Sequence, residues 1–147
     1  MGQSRFSRQA HLYARYRPTY PREMFDFIFE HLPAYRYAWD CATGSGQVAR
    51  VLARHFSRVY ASDISRSQLS HAPGAANIEY HNLPSEDTGF PGGLFDLITV
   101  AQAIHWFDFD AFYGEVKRVA TDHAILAVIG YGMVRISPDI DPLVREF

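Results

Sequence analysis

Tyr37-Ala38-Trp39-Asp40-Cys41-Ala42-Thr43-Gly44-Ser45-Gly46-Gln47-Val48-Ala49 is the stretch whose reading decides the fold. Tyr37 to Cys41 is short, mostly apolar and followed by glycines, which predicts a strand ending in a tight turn. Val48, Val51, Leu52 and Phe56 then recur at helical spacing. Gly44 to Ala49 matches G-x-G-x-x-A between a strand and a helix, the context that a nucleotide-binding glycine turn requires. Glycine lets the backbone turn sharply and approach a ligand closely, and the helix start near Gln47 is expected to offer unpaired N–H groups to an anionic end. The same sequence also serves as a plain βα turn.

The pattern continues on both sides. Pro21 suits the first position of a helix in which Met24, Phe25, Ile28 and Leu32 share a face before Pro33 stops it. Val59 to Ala61 is a second short strand ending at Asp63, and Ser65 with Gln68 has the spacing of a capping box. Ile78 to His81 and Phe95 to Ala101 predict strands three and four, Ala111 to Val119 a helix, and Ala124 to Ile129 strand five. Strands alternating with helices imply right-handed βαβ units, a mainly parallel sheet and helices on both faces. The expected class is α/β, a Rossmann-like three-layer αβα sandwich in one domain, 1–147.

Composition narrows the function classes. With 48% apolar and 20% charged residues the chain is expected to fold. A net charge of -2 gives no footprint for a phosphate backbone, so nucleic acid is not an expected partner, although Lys117 is the one lysine among fourteen basic residues. No apolar run approaches the roughly twenty residues of a membrane span, and the polar start lacks the apolar core of a secretory signal, so a cytoplasmic protein is expected. The single Cys41 and seven scattered histidines show no ligand spacing, so neither a metal site nor a thiol nucleophile is expected.

Two carboxylates complete the chemical reading. Asp63 lies nineteen residues after Gly44, where a carboxylate can accept both hydroxyls of an adenosine ribose; the alternative is an acid stabilised at a helix start beside Ser65. Asp40, four positions before Gly44, separates this chain from nicotinamide-binding proteins, which prefer an apolar residue there. It can order the loop through backbone N–H groups and act near the ammonium of an amino-acid ligand.

The chain resembles the class I S-adenosylmethionine-dependent methyltransferases, and within them the small-molecule group that includes trans-aconitate methyltransferase. The carriers are Tyr13-Ala14-Arg15-Tyr16-Arg17-Pro18-Thr19-Tyr20-Pro21, Asp40-Cys41-Ala42-Thr43-Gly44-Ser45-Gly46, Ser85-Glu86-Asp87 and Ala103-Ile104-His105-Trp106-Phe107-Asp108. The resemblance implies strand order 3-2-1-4-5, S-adenosylmethionine as donor and S-adenosylhomocysteine as product. It also implies a loop from Asp40 through Ala42 and Gly44 to Gly46 around the methionine part, Asp63 with Ile64 at the ribose, and Ser85 and Glu86 beside the adenine. Ala101 and Gln102 lie under the donor in that scheme. Tyr13 and Arg17 match a lid, residues 1–20, with Arg17 either facing the donor's carboxylate or held in a surface ion pair.

Ala42 stands where the family usually has glycine, a mild change if φ is negative there and a weakening of donor binding if the backbone is left-handed. His105 and Trp106 follow strand four, where His105 is a candidate base and Trp106 a wall for the acceptor or a cation-π partner for the sulfonium. The commoner outcome for such a pair is a turn-forming His with a packed, structural Trp.

The expected reaction is methyl transfer to a small molecule such as a carboxylic acid. Its alternatives are an NAD(P)-binding protein and a shortened domain that binds the donor weakly or serves as a partner. Complete members of the resembled family carry a sixth and seventh strand as an antiparallel hairpin, which Met133 to Phe147, with a helical candidate at Asp141 to Phe147, is too short to supply. Strand five is therefore expected as an exposed edge, inviting a homodimer or strand exchange, or marking a chain shortened at its C-terminus.

Overall fold

The structure, a computed structural model, describes residues 19–130. The elements are α1 (Arg22–Glu30), β1 (Tyr37–Cys41), α2 (Gln47–Leu52), β2 (Arg58–Ser62), α3 (Arg66–Ser70), β3 (Ile78–His81), β4 (Phe95–Ala101), α4 (Phe109–Val119) and β5 (Ala120–Ile129), with a 3-10 turn at Ile104–Trp106. The five strands form one sheet in the order β3-β2-β1-β4-β5, and every pairing is parallel. This is the expected class and order. The expectations for Tyr13, Arg17 and the helical candidate Asp141 to Phe147 lie outside the described residues.

Strand alternation explains the two cores. Ala38 of β1 and Leu97 of β4 face one side, where they join Phe25, Ile28, Val48 and Leu52 from α1 and α2. Their neighbours Trp39, Cys41, Ile98 and Val100 face the other and pack against Phe112, Val116 and Val119 of α4. Both faces of the central strands are thus covered, and β4 is buried throughout its length. Trp39 is anchored further by its indole N–H, which donates to Ser62 Oγ at 2.9 Å.

Element boundaries shift where polar residues mask the pattern. Pro21 is the N-cap of α1 with ψ of 145°, one position outside the helix, and the helix ends at Glu30, before Pro33. β5 starts at Ala120 instead of Ala124, because Thr121, Asp122 and His123 extend the strand with side chains that give no apolar signal. Ser65 caps α3 by accepting the Gln68 N–H at 3.3 Å. Asp108 caps α4 by accepting the Ala111 N–H at 3.1 Å, which begins that helix two residues before the expected start. No helix among the described residues is long and apolar enough to cross a membrane.

The order has a physical consequence. From β1 the chain moves outward to β2 and β3, then returns to place β4 on the other side of β1. The crossovers diverge there and leave a crevice at the carboxyl ends of β1 and β4, the place where open α/β sheets bind ligands.

Candidate active site

Asp40 and Thr99 are register partners across β1 and β4, which brings their side chains together at the base of the crevice. Asp40 is 1% exposed, so its carboxylate needs partners. Oδ1 accepts from the Thr99 hydroxyl at 2.8 Å, and Oδ2 accepts from the Thr43 hydroxyl at 2.5 Å and from the Ala49 N–H at 3.0 Å. Asp40 thus orders the loop through the Thr43 hydroxyl and the first turn of α2.

The N–H groups of the glycine turn are held elsewhere. Thr43 N–H donates to Ser62 O at 2.9 Å, Gly44 N–H to Asp63 Oδ2 at 2.8 Å, and Gly46 N–H to Thr43 O at 3.0 Å. The fold uses Thr43 and Gly44 to join the turn to the end of β2, and Gly46 to close the turn on itself; at the helix start, where free donors are expected, the Ala49 N–H is taken by Asp40.

Asp63 does two things. Its carboxylate bridges the glycine turn and the next turn, since Oδ1 also accepts the Ser65 N–H at 2.8 Å. It remains half-buried and lines the crevice, so the structural and ligand-facing readings of this acid coexist.

The crevice contains a cavity of about 410 Å³, within the roughly 300–1,000 Å³ of ordinary small-molecule sites. Ala42, Gly44, Asp63, Ile64, Ser85, Glu86, Ala101 and Gln102 all line it, so eight expected site residues meet at one place. Ala42 and Ala101 also line a small recess with Asp40 and Thr43, which marks the end nearest the glycine loop. Gly46, also an expected site residue, lines neither the cavity nor the recess and has left-handed φ of 79°. Glu86 Oε1 accepts the Asp108 N–H at 3.3 Å and so ties the segment after β3 to the start of α4.

Two backbone strains stand at this cavity. Ala42 has φ of 54° and Gln102 φ of 58°, the two non-glycine residues among those described with left-handed backbone. At Ala42 the backbone is left-handed, at a cost on the order of 1 kcal/mol relative to glycine. Such strain collects at ligand sites.

Trp106 corrects an expectation. It is 81% exposed and lines the cavity, as does Ile64 at 77%, and is not a packed structural residue. The His105 ring sits tilted beside it at 46°, with ring centroids 4.9 Å apart, but is exposed and does not line the cavity. Cys41 is fully buried, and burial first, then the nearby Asp40, pushes its thiol well above the ordinary range, so it is no nucleophile. Leu83, a lining residue missed in the sequence, carries an apolar signal indistinguishable from core, and Ser65 and Gln68, read there as a helix cap, also line the cavity. Thr43 and Thr99 could have been found from the alignment of strand ends.

Comparison with known proteins places this crevice in a family. Residues 39–128 match the family model described as a methyltransferase domain. A Dictyostelium discoideum protein named as a methyltransferase is 38% identical over 130 residues, which are 88% of this chain and 49% of that protein. A Saccharomyces cerevisiae protein named as an S-adenosylmethionine-dependent methyltransferase is 27% identical, over 73% of this chain and 40% of its own length. A structure of a type II methyltransferase from Anaeromyxobacter dehalogenans superposes with a TM-score of 0.79 at 41% identity, covering 89% of this chain and 56% of that one. The chain spans about half the length of these relatives. With the parallel 3-2-1-4-5 sheet, the buried Asp40 and the Asp63 crevice already placed, the chain belongs to the methyltransferase-domain family of class I S-adenosylmethionine-dependent enzymes.

Proposed function

We propose that this protein transfers a methyl group from S-adenosylmethionine to a small molecule, with the donor held along the carboxyl ends of β1, β2 and β4. The observation that carries this reading is the convergence of Asp63, Glu86 and the strained Ala42 on one cavity. Asp63 would take the ribose hydroxyls, Ser85 and Glu86 the adenine edge, and the Asp40–Gly46 loop the amino-acid end. When bound, the donor supplies an electrophilic methyl on a sulfonium. The chain's own part is to fix that cation beside the Asp40 and Asp63 carboxylates, exclude water with Ile64 and Trp106, and orient the acceptor for in-line attack. A carboxylate acceptor needs no base, being ionised near neutral pH. The described lining carries two carboxylates and no lysine, arginine or histidine, so an anionic acceptor would draw its counter-charge from outside the described residues, where Arg15 and Arg17 lie.

Calorimetric titration with S-adenosylhomocysteine, alongside Asp63→Ala and NAD, tests the donor site. Micromolar binding by the wild type, lost in the variant and absent for NAD, supports it; NAD binding instead would return the nicotinamide alternative. Turnover of labelled donor with a panel of carboxylic acids and neutral hydroxyl compounds then separates an enzyme from a domain that only binds.

Pairing of β5 with a second copy is also proposed. Among the described strands β5 pairs with β4 alone, and an apolar groove of about 580 Å³ runs beside it against Met24, Phe27 and Ile28. Light scattering of the purified chain decides this: a dimer supports it and a monomer removes it.

A further inference from the structure

We infer that Asn82 is a positioning residue that sets the Asp63 carboxylate for the ribose, an assignment that rests on the S-adenosylmethionine reading above. Asn82 follows β3 and does not itself line the cavity. Its side chain joins the end of β3 to the turn that leaves β2. Nδ2 donates to Asp63 O and to Ile64 O, both at 2.9 Å, and Oδ1 accepts from Arg66 Nε at 2.9 Å. Both N–H bonds of the amide are thus used on two consecutive carbonyls, and Arg66 fixes which end of the amide faces them.

The clamp begins where the sheet ends. Ser62 and His81 are the last register partners of β2 and β3, and the Asp63 N–H donates to His81 O at 3.1 Å. Beyond that point the Asn82 side chain takes over from the backbone ladder, so the residues that turn toward the cavity stay tied to β3. Asp63 is then fixed at its N–H by His81, at its carbonyl by Asn82 and at its carboxylate by the Gly44 and Ser65 N–H groups. Ile64 is 77% exposed yet lines the cavity, so its place rests on backbone bonds more than on packing. Displacing a ligand-orienting group by about 1 Å can cost on the order of a hundredfold in function. The Asn82 side chain is exposed and belongs to neither core, so its replacement should leave the fold in place and act on the site alone.

The test compares S-adenosylhomocysteine with S-(2′,3′-dideoxyadenosyl)homocysteine, which lacks both ribose hydroxyls, by calorimetric titration. The wild type should prefer the first by about thirtyfold or more, since hydrogen bonds to a charged group are among the stronger ones. Asn82→Asp keeps the shape and an acceptor for Arg66 but turns an oxygen on the two carbonyls, whereas Asn82→Ala removes both donations without adding charge. Each variant should weaken S-adenosylhomocysteine by about tenfold and the dideoxy probe by about threefold or less, which narrows the preference. Retained binding of the dideoxy probe shows that the variants are folded. Equal losses for both probes would make Asn82 a general support of the cavity and overturn the inference, as would an unchanged preference. A wild type that binds both probes equally removes the ribose role of Asp63 and this inference with it, while the donor reading stands; a wild type that binds neither removes both.

Discussion

The Tyr80 hydroxyl stands where a side chain on Gly46 would have to go: a Cβ built on Gly46 meets that oxygen at 2.5 Å and the ring carbons at 3.3 Å. Gly46 also has φ of 79°, and Tyr80 is tethered by donating to Pro73 O at 3.0 Å. The second glycine of the turn is therefore required twice, by backbone sign and by a side chain reaching over from β3. Gly46→Ala is expected to cost about 2 kcal/mol or more in urea unfolding. Tyr80→Phe removes the nearest atom and should recover part of that loss in the double variant; if it recovers none, backbone strain alone explains the glycine.

Asp40 is expected to be among the most sensitive positions. Asp40→Ala strands the Thr43 and Thr99 hydroxyls and the Ala49 N–H in a buried place, for a loss of about 3 kcal/mol or more. Asp40→Asn keeps acceptor capacity on one oxygen and should cost less. Chemical denaturation of the two variants checks the order.

Ala42→Gly should stabilise the chain by about 1 kcal/mol, because glycine adopts φ of 54° without strain. The same change is expected to tighten S-adenosylhomocysteine, since Ala42 lines both the cavity and the recess. Paired melting and titration measurements would show both gains, and a loss in both would mean that the methyl group is itself a packing contact.

Acid sensitivity should concentrate at Glu115. Hydrogen bonds from Arg118, then those from the Thr88 hydroxyl and N–H, outweigh burial and lower its carboxyl from 4.5 to about 2. A folded pKa below the unfolded one contributes stability that is fully present above about 4.5 and disappears as pH falls toward 2. Wild type and Glu115→Gln should therefore differ most in urea midpoint near neutral pH and converge on acidification. Asp96 adds to this trend: burial opposes its ionisation, but hydrogen bonds from the Arg36 side chain and backbone hold its pKa below the ordinary value.

Trp106 supplies an optical test of the cavity. The chain has two tryptophans, one fully buried at position 39 and one 81% exposed and lining the cavity. Acrylamide should quench the Trp106 emission readily, and saturating S-adenosylhomocysteine should protect it. Unchanged quenching in a protein that binds the ligand by calorimetry would place Trp106 outside the occupied volume.

The sequence by itself determined the alternating α/β class and the glycine turn after Asp40, because apolar periodicity and glycine spacing are local signals, while the strand order and the grouping of Ser85, Glu86, Ala101 and Gln102 with that turn came from the family resemblance. Asp63 and Glu86 were legible as acids at strand and loop ends. Only the tertiary structure decided how the donors of the glycine turn are used, since the Asp63–Gly44 and Asp40–Thr99 bonds join residues 19 and 59 positions apart. It also decided the sign of φ at Ala42 and Gln102, which no side-chain pattern encodes, and the exposure of Trp106. Burial and backbone sign are properties of packed neighbours, so a chain read one residue at a time carries them only after the sheet has brought those neighbours together.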